Sequence, residues 1–317
     1  MMQNVSINRL VKPLVQELID KNSALRVEVG EFSNGAKFID AGIGCTGGLE
    51  AGRVIGEICM GGLGTITLYH ATAVSDWPLS LHVHSSNPVL ACLASQYAGW
   101  SLSHEEFHAL GSGPGRAIAR KESLFDDLGY EDTCDSATFV LEVDRAPPVA
   151  LIDRIAETCK LVPEALTFIL TPTRSIAGTV QIVSRVLEVA MHKVHVLGFP
   201  LDDIMDGSAS APLSPPAPDF AKAMERTNTT ILFAGRVHLF VRGDDASAEK
   251  LAKELPSSSS ADYGKPFAGI LEDCGYDFFK IDPMLFSPAW VAVTSVESGR
   301  TFQGGQLAPD LLADSFS

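Results

Sequence analysis

Apolar and polar residues along the chain follow two spacings, one typical of helices and one typical of strands. The first 21 residues and the stretch LEAGRVIGEICMGG carry apolar residues at helical spacing, and two glycines end the second of these helices. Between them, LRVEVGEF and AKFIDAGI predict two strands joined through residues 33–35, a hairpin turn. Further helices are predicted in PVLACLASQYAGW and PVALIDRIAETCKL, and further strands in TITLYHA, SATFVLEVDR, ALTFILTPT, KVHVLGF and TILFAGRVHLFVRG.

This mixture of helices and strands, with hairpins as well as strand–helix alternation, predicts an α/β (mixed α+β) protein. Residues 206–218, DGSASAPLSPPAP, form the one clear break in composition, and they predict a linker or a long loop. We therefore expect an N-terminal α/β domain at residues 1–205, continuous or discontinuous, and a C-terminal α/β domain at residues 219–317.

The composition narrows the classes of partner. The chain of 317 residues has 39 acidic and 24 basic side chains, a formal charge of −15 that repels nucleic acid and anionic lipid. Its six cysteines include no CxxC pair, which favours reduced thiols. The N-terminus lacks a hydrophobic signal core, and no apolar run reaches membrane-spanning length. We expect a cytoplasmic protein.

The stretch GIGCTG, with Gly42, Gly44 and Gly47, follows a predicted strand and precedes a helix, as the dinucleotide-binding fingerprint does. The acid that should hold a ribose hydroxyl about 20 residues later is missing from GTITLYHATAVS. The preceding strand also comes from a hairpin rather than from a parallel βαβ unit. The motif therefore favours a close backbone approach to another ligand or to a helix over a nucleotide site.

A second glycine-rich stretch, GSGPGRAIARK at residues 111–121, predicts a strand end, a tight turn and the start of a short helix. Free N–H groups at such a turn, together with Arg116, would attract an anion. It is not a Walker motif, because no GK[ST] ends it. A tight turn with solvated basic residues is the alternative.

His82 and His84 alternate along a predicted strand, so that both imidazoles would lie on one face and could bind one zinc ion. Further ligands would have to come from His192, His195, His238 or an aspartate, at no recognisable spacing. A metal-dependent amidohydrolase therefore stays open beside a half-exposed strand with two unliganded histidines.

The stretch TVQIVSRVLEVAMHK, residues 179–193, has the pattern of one helix. At about 100° per residue, Gln181, Arg185, Glu188 and His192 fall within about 60° of one another, and the flanking residues are apolar or small. So narrow a polar stripe predicts a helix buried on most sides, with one edge facing a cleft. Arg185 and Glu188 are i, i+3 neighbours. They form either a structural ion pair or a catalytic carboxylate that the guanidinium aims and keeps charged while desolvation raises its basicity.

Eight longer stretches occur in order nearly from end to end of the chain: VSINRLVKPLV, AGIGCTGGLEAGR, EICMGGLGT, ASQYAGW, ALGSGPGRA, LGYED, QIVSRVLEVAMHKVHVLGF and AMERTNTTILFAGRVHLFV. Taken together, they resemble methenyltetrahydromethanopterin cyclohydrolase, a family of one-carbon metabolism. One departure from the family is Gly115, where we expect alanine.

The resemblance implies a two-domain α/β subunit that binds a pterin in the active-site cleft between the domains, without metal or nucleotide. It places the catalytic arginine and glutamate of the family on Arg185 and Glu188, and it implies a homo-oligomer, often a trimer. The implied reaction is hydrolysis of 5,10-methenyl-tetrahydromethanopterin to its 5-formyl form. Tetrahydromethanopterin, or its dephosphorylated form, would be the one-carbon carrier, with no permanently bound cofactor.

We expect further substrate contacts from three places in the sequence. Gln181 would position water or the pterin, and two glycine-rich loops would contact the flat pterin or its tail. A non-catalytic pterin-binding protein and a metal-dependent amidohydrolase are the alternatives. The expected contacts in the two loops are Ser112, Gly113 and Arg116, and Gly47 and Gly48.

Overall fold

A computed structural model describes residues 5–71, 77–275 and 280–316 of the chain. The strands are β1 (Glu28–Glu31), β2 (Lys37–Asp40), β3 (Thr65–His70), β4 (Leu79–Ser85), β5 (Trp100–His104), β6 (Phe107–Ser112), β7 (Ala137–Leu141), β8 (Leu166–Leu170), β9 (Ile204–Pro212), β10 (Arg236–Val241), β11 (Trp290–Ser295) and β12 (Thr301–Gly305). The α-helices are α1 (Ile7–Asp20), α2 (Asn22–Leu25), α3 (Leu49–Cys59), α4 (Arg116–Ala119), α5 (Leu124–Leu128), α6 (Val149–Cys159), α7 (Ile176–Val183), α8 (Val186–Val196), α9 (Phe220–Ala234), α10 (Asp245–Glu254), α11 (Phe267–Asp273) and α12 (Pro309–Phe316).

These elements confirm the expected mixed α/β class. They group into two compact units, each built from two stretches of chain: Met1–Gly64 with Leu90–Gln181, and Thr65–Val89 with Ile182–Ser317. Each unit contains one six-stranded sheet. This grouping differs from the expected division at residues 205 and 219, because composition read along the chain carries no sign that a unit is assembled from two separate stretches.

The sheet of the first unit has the order β1-β2-β8-β7-β6-β5. β2, β8 and β7 pair in parallel, and the hairpins β1–β2 and β5–β6 extend the sheet on either side. β7 and β8 read ATFVL and LTFIL, and they are almost wholly buried, as continuous apolar strands covered on both faces should be. One core cluster joins the sheet to α1 and α3, and another joins it to α6.

The sheet of the second unit has the order β12-β11-β10-β9-β4-β3, and its strands pair in antiparallel fashion apart from β10 with β11. Side chains alternate across it. Val237, Leu239 and Val241 of β10 are buried, whereas His238 and Phe240 between them are partly exposed. The same alternation puts His82 and His84 of β4 on the partly exposed face.

The stretch predicted as one helix, residues 179–193, consists of two. α7 ends at Val183 and α8 begins at Val186, and between them the N–H of Arg185 donates to the carbonyl of Ile182 at 3.0 Å, an i→i−3 bond that tightens the turn. The β-branched residues around the break have lower helix propensity. The prediction of a single helix was therefore wrong at this point.

Two strand predictions were also wrong. KVHVLGF continues α8 as far as Val196, and the chain leaves the helix at Gly198, which has a φ of +73°. The first half of TILFAGRVHLFVRG completes α9, and only Arg236–Val241 forms a strand. Both segments are rich in β-branched or aromatic residues, so tertiary packing has overridden their local strand propensity.

Three further segments differ from expectation. Residues 206–212, expected in a linker or long loop, belong to β9, which pairs with β4 and β10 on its two sides. TITLYHA was expected to be a buried strand, but β3 is an edge strand in which Ile66 is the one buried residue. The helical segment expected at residues 88–100 is shorter, and it is a π-helix over Val89–Gln96. Among the helices that the structure describes, none is both long enough and apolar enough to cross a membrane.

Candidate active site

Arg185 and Glu188 face each other at the start of α8. Arg185 is the residue that caps the helix, and Glu188 lies in its first turn, where the positive end of the helix dipole favours a negative charge. The Nη1 atom of Arg185 lies 3.5 Å from Oε2 of Glu188, and the two side chains are only 12% and 5% exposed. The carboxylate is thus nearly removed from water, with a cation beside it that compensates its charge.

The break before α8 divides the predicted polar stripe. Gln181 belongs to α7, whereas Glu188 and His192 belong to α8. Arg185 and Glu188 still pair despite the break between α7 and α8, because the turn at Arg185 keeps the guanidinium within reach of the first turn of α8. His192 is partly buried, and this burial lowers its pKa to about 4, with neighbouring His195 acting in the same direction.

Gln181 and Ser112 are brought together around a buried thiol in the first unit. The Sγ atom of Cys59 lies 3.8 Å from Oε1 of Gln181 and 3.9 Å from Oγ of Ser112. All three side chains are at most 2% exposed. Two of the six expected substrate contacts therefore share one small polar cluster, although they are 69 residues apart in sequence (181 − 112 = 69).

The loop after β6 is fixed to the π-helix. Ser112 donates from Oγ to the carbonyl of Gln96 at 2.7 Å, and the N–H of Gly113 donates to the carbonyl of Ser95 at 2.9 Å. Gly113 has a φ of +95°, a backbone conformation that side chains disfavour. These bonds hold Ser112 and Gly113 in one defined position.

Arg116 is completely buried and forms a two-point ion pair with Glu122, in which Nε donates to Oε1 at 2.9 Å and Nη2 donates to Oε2. Its charge is therefore compensated inside the protein. From the sequence, either an anion site or a solvated side chain was expected here. The guanidinium also contacts the carbonyl oxygens of Leu93 and Ser95 and the rings of Tyr97 and Phe125.

Gly115, where alanine was expected, lies directly against the ring of Phe139, and a Cβ atom at this position would overlap that ring. The glycine thus has a local packing reason. It leaves the hydrogen bonds of Ser112, Gly113 and Arg116 unaffected.

In the loop GIGCTG, a carboxylate of the protein itself accepts backbone N–H groups, which in a dinucleotide site would be available to a phosphate. Oδ1 of Asp40 accepts the N–H groups of Gly42 and Ile43 at 2.8 and 2.7 Å, and Oδ2 accepts that of Gly44 at 2.6 Å. This role of Asp40 was not predicted, although an aspartate two residues before a glycine often binds the backbone N–H groups of the turn that follows it.

The remaining glycines of that loop permit close packing. Gly47 has a φ of +61°, and a Cβ atom there would lie 2.5 Å from the carbonyl oxygen of Ala41. A Cβ atom on Gly48 would lie 2.7 Å from a guanidinium nitrogen of Arg26. A Cβ atom on Gly47 would also lie 3.0 Å from Cβ of Ala177 in α7, so the backbone approaches a helix closely, which is one of the two alternatives that the sequence left open.

The imidazoles of His82 and His84 bond to two different residues of the neighbouring strand β9. Nε2 of His82 lies 2.8 Å from Oγ of Ser208, and Nε2 of His84 lies 2.9 Å from Oδ1 of Asp206. Burial and the nearby His84 lower the pKa of His82. Within the described residues, no group of three or more His, Cys, Asp or Glu side chains is arranged to hold a metal ion.

A cavity of about 290 Å³ lies at the other end of α8, between that helix end, the end of β10 and the start of α10. Its lining includes Phe199, Arg242 and Lys250, but neither Arg185 nor Glu188. Both charge signs line it, so it favours no particular ligand.

Comparison with known proteins gives one consistent result. The cyclohydrolase (MCH) family matches residues 6–316. Proteins named methenyltetrahydromethanopterin cyclohydrolase are 60% identical in Methylobacillus flagellatus, over 98% of this chain and 95% of the relative, and 53% identical in Methylobacterium organophilum, over 98% of both. A protein of the same name in the archaeon Methanosarcina barkeri is 36% identical, again over 98% of both chains. The chain therefore belongs to the cyclohydrolase (MCH) family.

Proposed function

We propose that this protein hydrolyses the methenyl bridge of 5,10-methenyl-tetrahydromethanopterin to give 5-formyl-tetrahydromethanopterin, in a reversible reaction of one-carbon metabolism. The family membership and the names of the relatives support the reaction. The observation that carries the mechanism is the nearly buried pair of Arg185 and Glu188.

The substrate needs little activation. Its methenyl carbon lies between two nitrogens in an amidinium-like cation, so it is already electrophilic. Hydrolysis requires a base that accepts a proton from water as the oxygen attacks, and a proton for the nitrogen that leaves when the ring opens. A single carboxylate can serve both steps.

In the proposed mechanism, Glu188 accepts a proton from water while the water oxygen bonds to the methenyl carbon. The protonated Glu188 then donates that proton to the leaving nitrogen as the C–N bond breaks. The hydroxyl group of the adduct loses its own proton as the formyl carbonyl forms, so one proton is released overall. Arg185 orients the carboxylate and keeps it ionised before attack.

Six residues are proposed as substrate contacts. Gln181 and Ser112 would present polar atoms near Cys59, and their proximity to one thiol supports a joint role. Gly113 and Arg116 would shape the adjoining loop, and the fixed geometry of that loop supports a rigid contact for the flat ring. Gly47 and Gly48 would contact the pterin or its tail through their backbone groups.

The wider setting is also proposed. The carrier is tetrahydromethanopterin or its dephosphorylated form, and the protein acts in the cytoplasm without a metal or a permanently bound cofactor. It assembles as a homo-oligomer, for which a trimer is favoured by the family resemblance. The resemblance also places the pterin in a cleft between two domains, and that placement stays a prediction.

The test replaces Glu188 by glutamine, which keeps the size of the side chain and removes its basicity. The absorbance of the methenyl chromophore should disappear with the wild-type protein and persist with Glu188→Gln, after subtraction of the rate in buffer alone. Circular dichroism and substrate titration should show that the variant folds and binds. Near-normal turnover by the variant would place the base elsewhere, and loss of wild-type activity in a chelator would point to the metal-dependent alternative.

A further inference from the structure

The side chain of Lys193 is completely buried, five residues beyond Glu188 on the same helix, α8. Its ammonium group donates three hydrogen bonds, to the carbonyl of Pro256 at 2.7 Å, to Oγ of Ser259 at 2.7 Å and to the carbonyl of Met284 at 2.6 Å. All three protons of the ammonium group are thus used. The acceptors belong to two segments outside α8, the turn after α10 and the loop before β11.

The three acceptors of this ammonium group are two carbonyls and a hydroxyl, and all of them are neutral. Among the described residues, no carboxylate oxygen lies within ion-pair distance of it. Burying a charge among neutral acceptors is unfavourable, and desolvation lowers the pKa of Lys193 to about 8, although the charge of Asp282 partly opposes this. A methionine would fill the same space without that cost. A role in fixed positioning therefore explains the lysine better than a contribution to stability does.

A second side of α8 packs against the sheet. Leu187 presses against Gly207 of β9, where an added Cβ atom would lie 3.0 Å from Cδ1 of the leucine. At about 100° per residue, Leu187 lies about 100° to one side of Glu188 and Lys193 lies about 140° to the other. The contacts of Lys193 and Leu187 thus restrain two faces of the helix, and Glu188 lies on the third face.

We infer that Lys193 is a positioning residue for the reaction: its three hydrogen bonds fix the rotation and the axial position of α8, and through them the position of the Glu188 carboxylate. This inference rests on the catalytic role proposed above for Glu188. Sequence patterns gave no sign of it, because a lysine near the end of a helix is usually solvated.

The test compares Lys193→Met with Lys253→Met, a matched control whose lysine is exposed on α10. Displacement of a reacting group by about 1 Å costs on the order of 100-fold in rate, so we expect Lys193→Met to lower kcat by about 10- to 100-fold with KM changed less than about threefold. The control should retain wild-type kcat and KM. A Lys193→Met variant with wild-type kcat, even if it melts at a lower temperature, would overturn the inference.

A second arm separates positioning from a general structural effect. Because Lys193 acts through the position of the Glu188 carboxylate, adding Lys193→Met to Glu188→Asp, in which that carboxylate is already displaced, should lower kcat by a smaller factor than Lys193→Met does in the wild type. An equal factor in both backgrounds would contradict the inference. If Lys193→Met does not fold, Ser259→Ala decides instead: removal of one acceptor should lower kcat several-fold, and an unchanged kcat refutes the role. Near-normal turnover of Glu188→Gln alone would instead refute the proposed function.

Discussion

Replacing Arg185 by glutamine removes the positive charge beside Glu188 and keeps a polar, hydrogen-bonding side chain, although a shorter one. The pair is separated by 3.5 Å, and both side chains are largely buried. With an effective dielectric constant of about 20, the attraction between two unit charges at this distance is about 5 kcal/mol, before the cost of removing both groups from water. A guanidinium this close to a carboxylate therefore has a large effect on its protonation.

The expected result is a change in the pH dependence of the reaction. Without the guanidinium, the carboxylate keeps its proton to higher pH, and only the deprotonated form can act as a base. An arginine neighbour shifts such an equilibrium by about 1–3 pH units, so the acidic limb of the kcat/KM profile should move upward by about that amount. Turnover of Arg185→Gln should be low at pH 7 and should partly recover as the pH is raised.

The assay follows loss of the methenyl absorbance between pH 5 and 9, with the rate in buffer alone subtracted at each pH. Arg53→Gln is the matched control. Arg53 pairs with Glu50, three residues away and 54% exposed, and with Glu57, which is 13% exposed. Both pairs lie within α3, apart from the proposed catalytic pair. The control should keep the wild-type profile. If Arg185→Gln has the wild-type acidic limb and merely a lower melting temperature, the pair is structural and our reasoning is refuted.

Two further predictions concern stability. Arg116→Met should destabilise the fold by about 3–5 kcal/mol in urea denaturation, because it leaves Glu122 largely buried without its cation. Adding Glu122→Leu should recover much of that loss, and a small loss in the single variant would contradict the prediction. For His192, the folded-state pKa of about 4 lies below the ordinary 6.5, so the unfolded chain takes up a proton first as the pH falls, and stability is lost between about pH 6.5 and 4. Between pH 7 and 5 this loss should be about 2 kcal/mol larger in the wild type than in His192→Asn, and equal losses in the two proteins would exclude the linkage.

The sequence allowed the parts of the candidate site that depend on local spacing to be predicted. Arg185 and Glu188 are three residues apart, and a turn brings such residues together whether or not the helix before them is continuous. For this reason the pairing was found although the helix prediction failed. The neighbourhood of Gln181 and Ser112 depends on how α3, α7 and β6 pack, and no local pattern encodes that packing.

Other errors have the same physical origin. Residues 206–212 have the Gly, Ser and Ala content of a loop, yet in β9 small residues allow α8 to approach, as Gly207 shows against Leu187. The local sequence predicts a surface position for Lys193, because its three acceptors lie 63 to 91 positions further along the chain. When the environment of a side chain is formed by residues far away in the sequence, its role cannot be predicted from the sequence alone.

Asp40 has a consequence for how the loop GIGCTG is interpreted. The carboxylate is part of the same chain segment as the amides that it binds, so these N–H groups are already satisfied and a phosphate group would have to displace Asp40 to bind them. The protein thus carries a permanent internal ligand in a loop that matches a nucleotide-binding motif letter by letter. An acidic residue two positions before the first glycine of such a motif can therefore occupy the amides that a phosphate would otherwise bind.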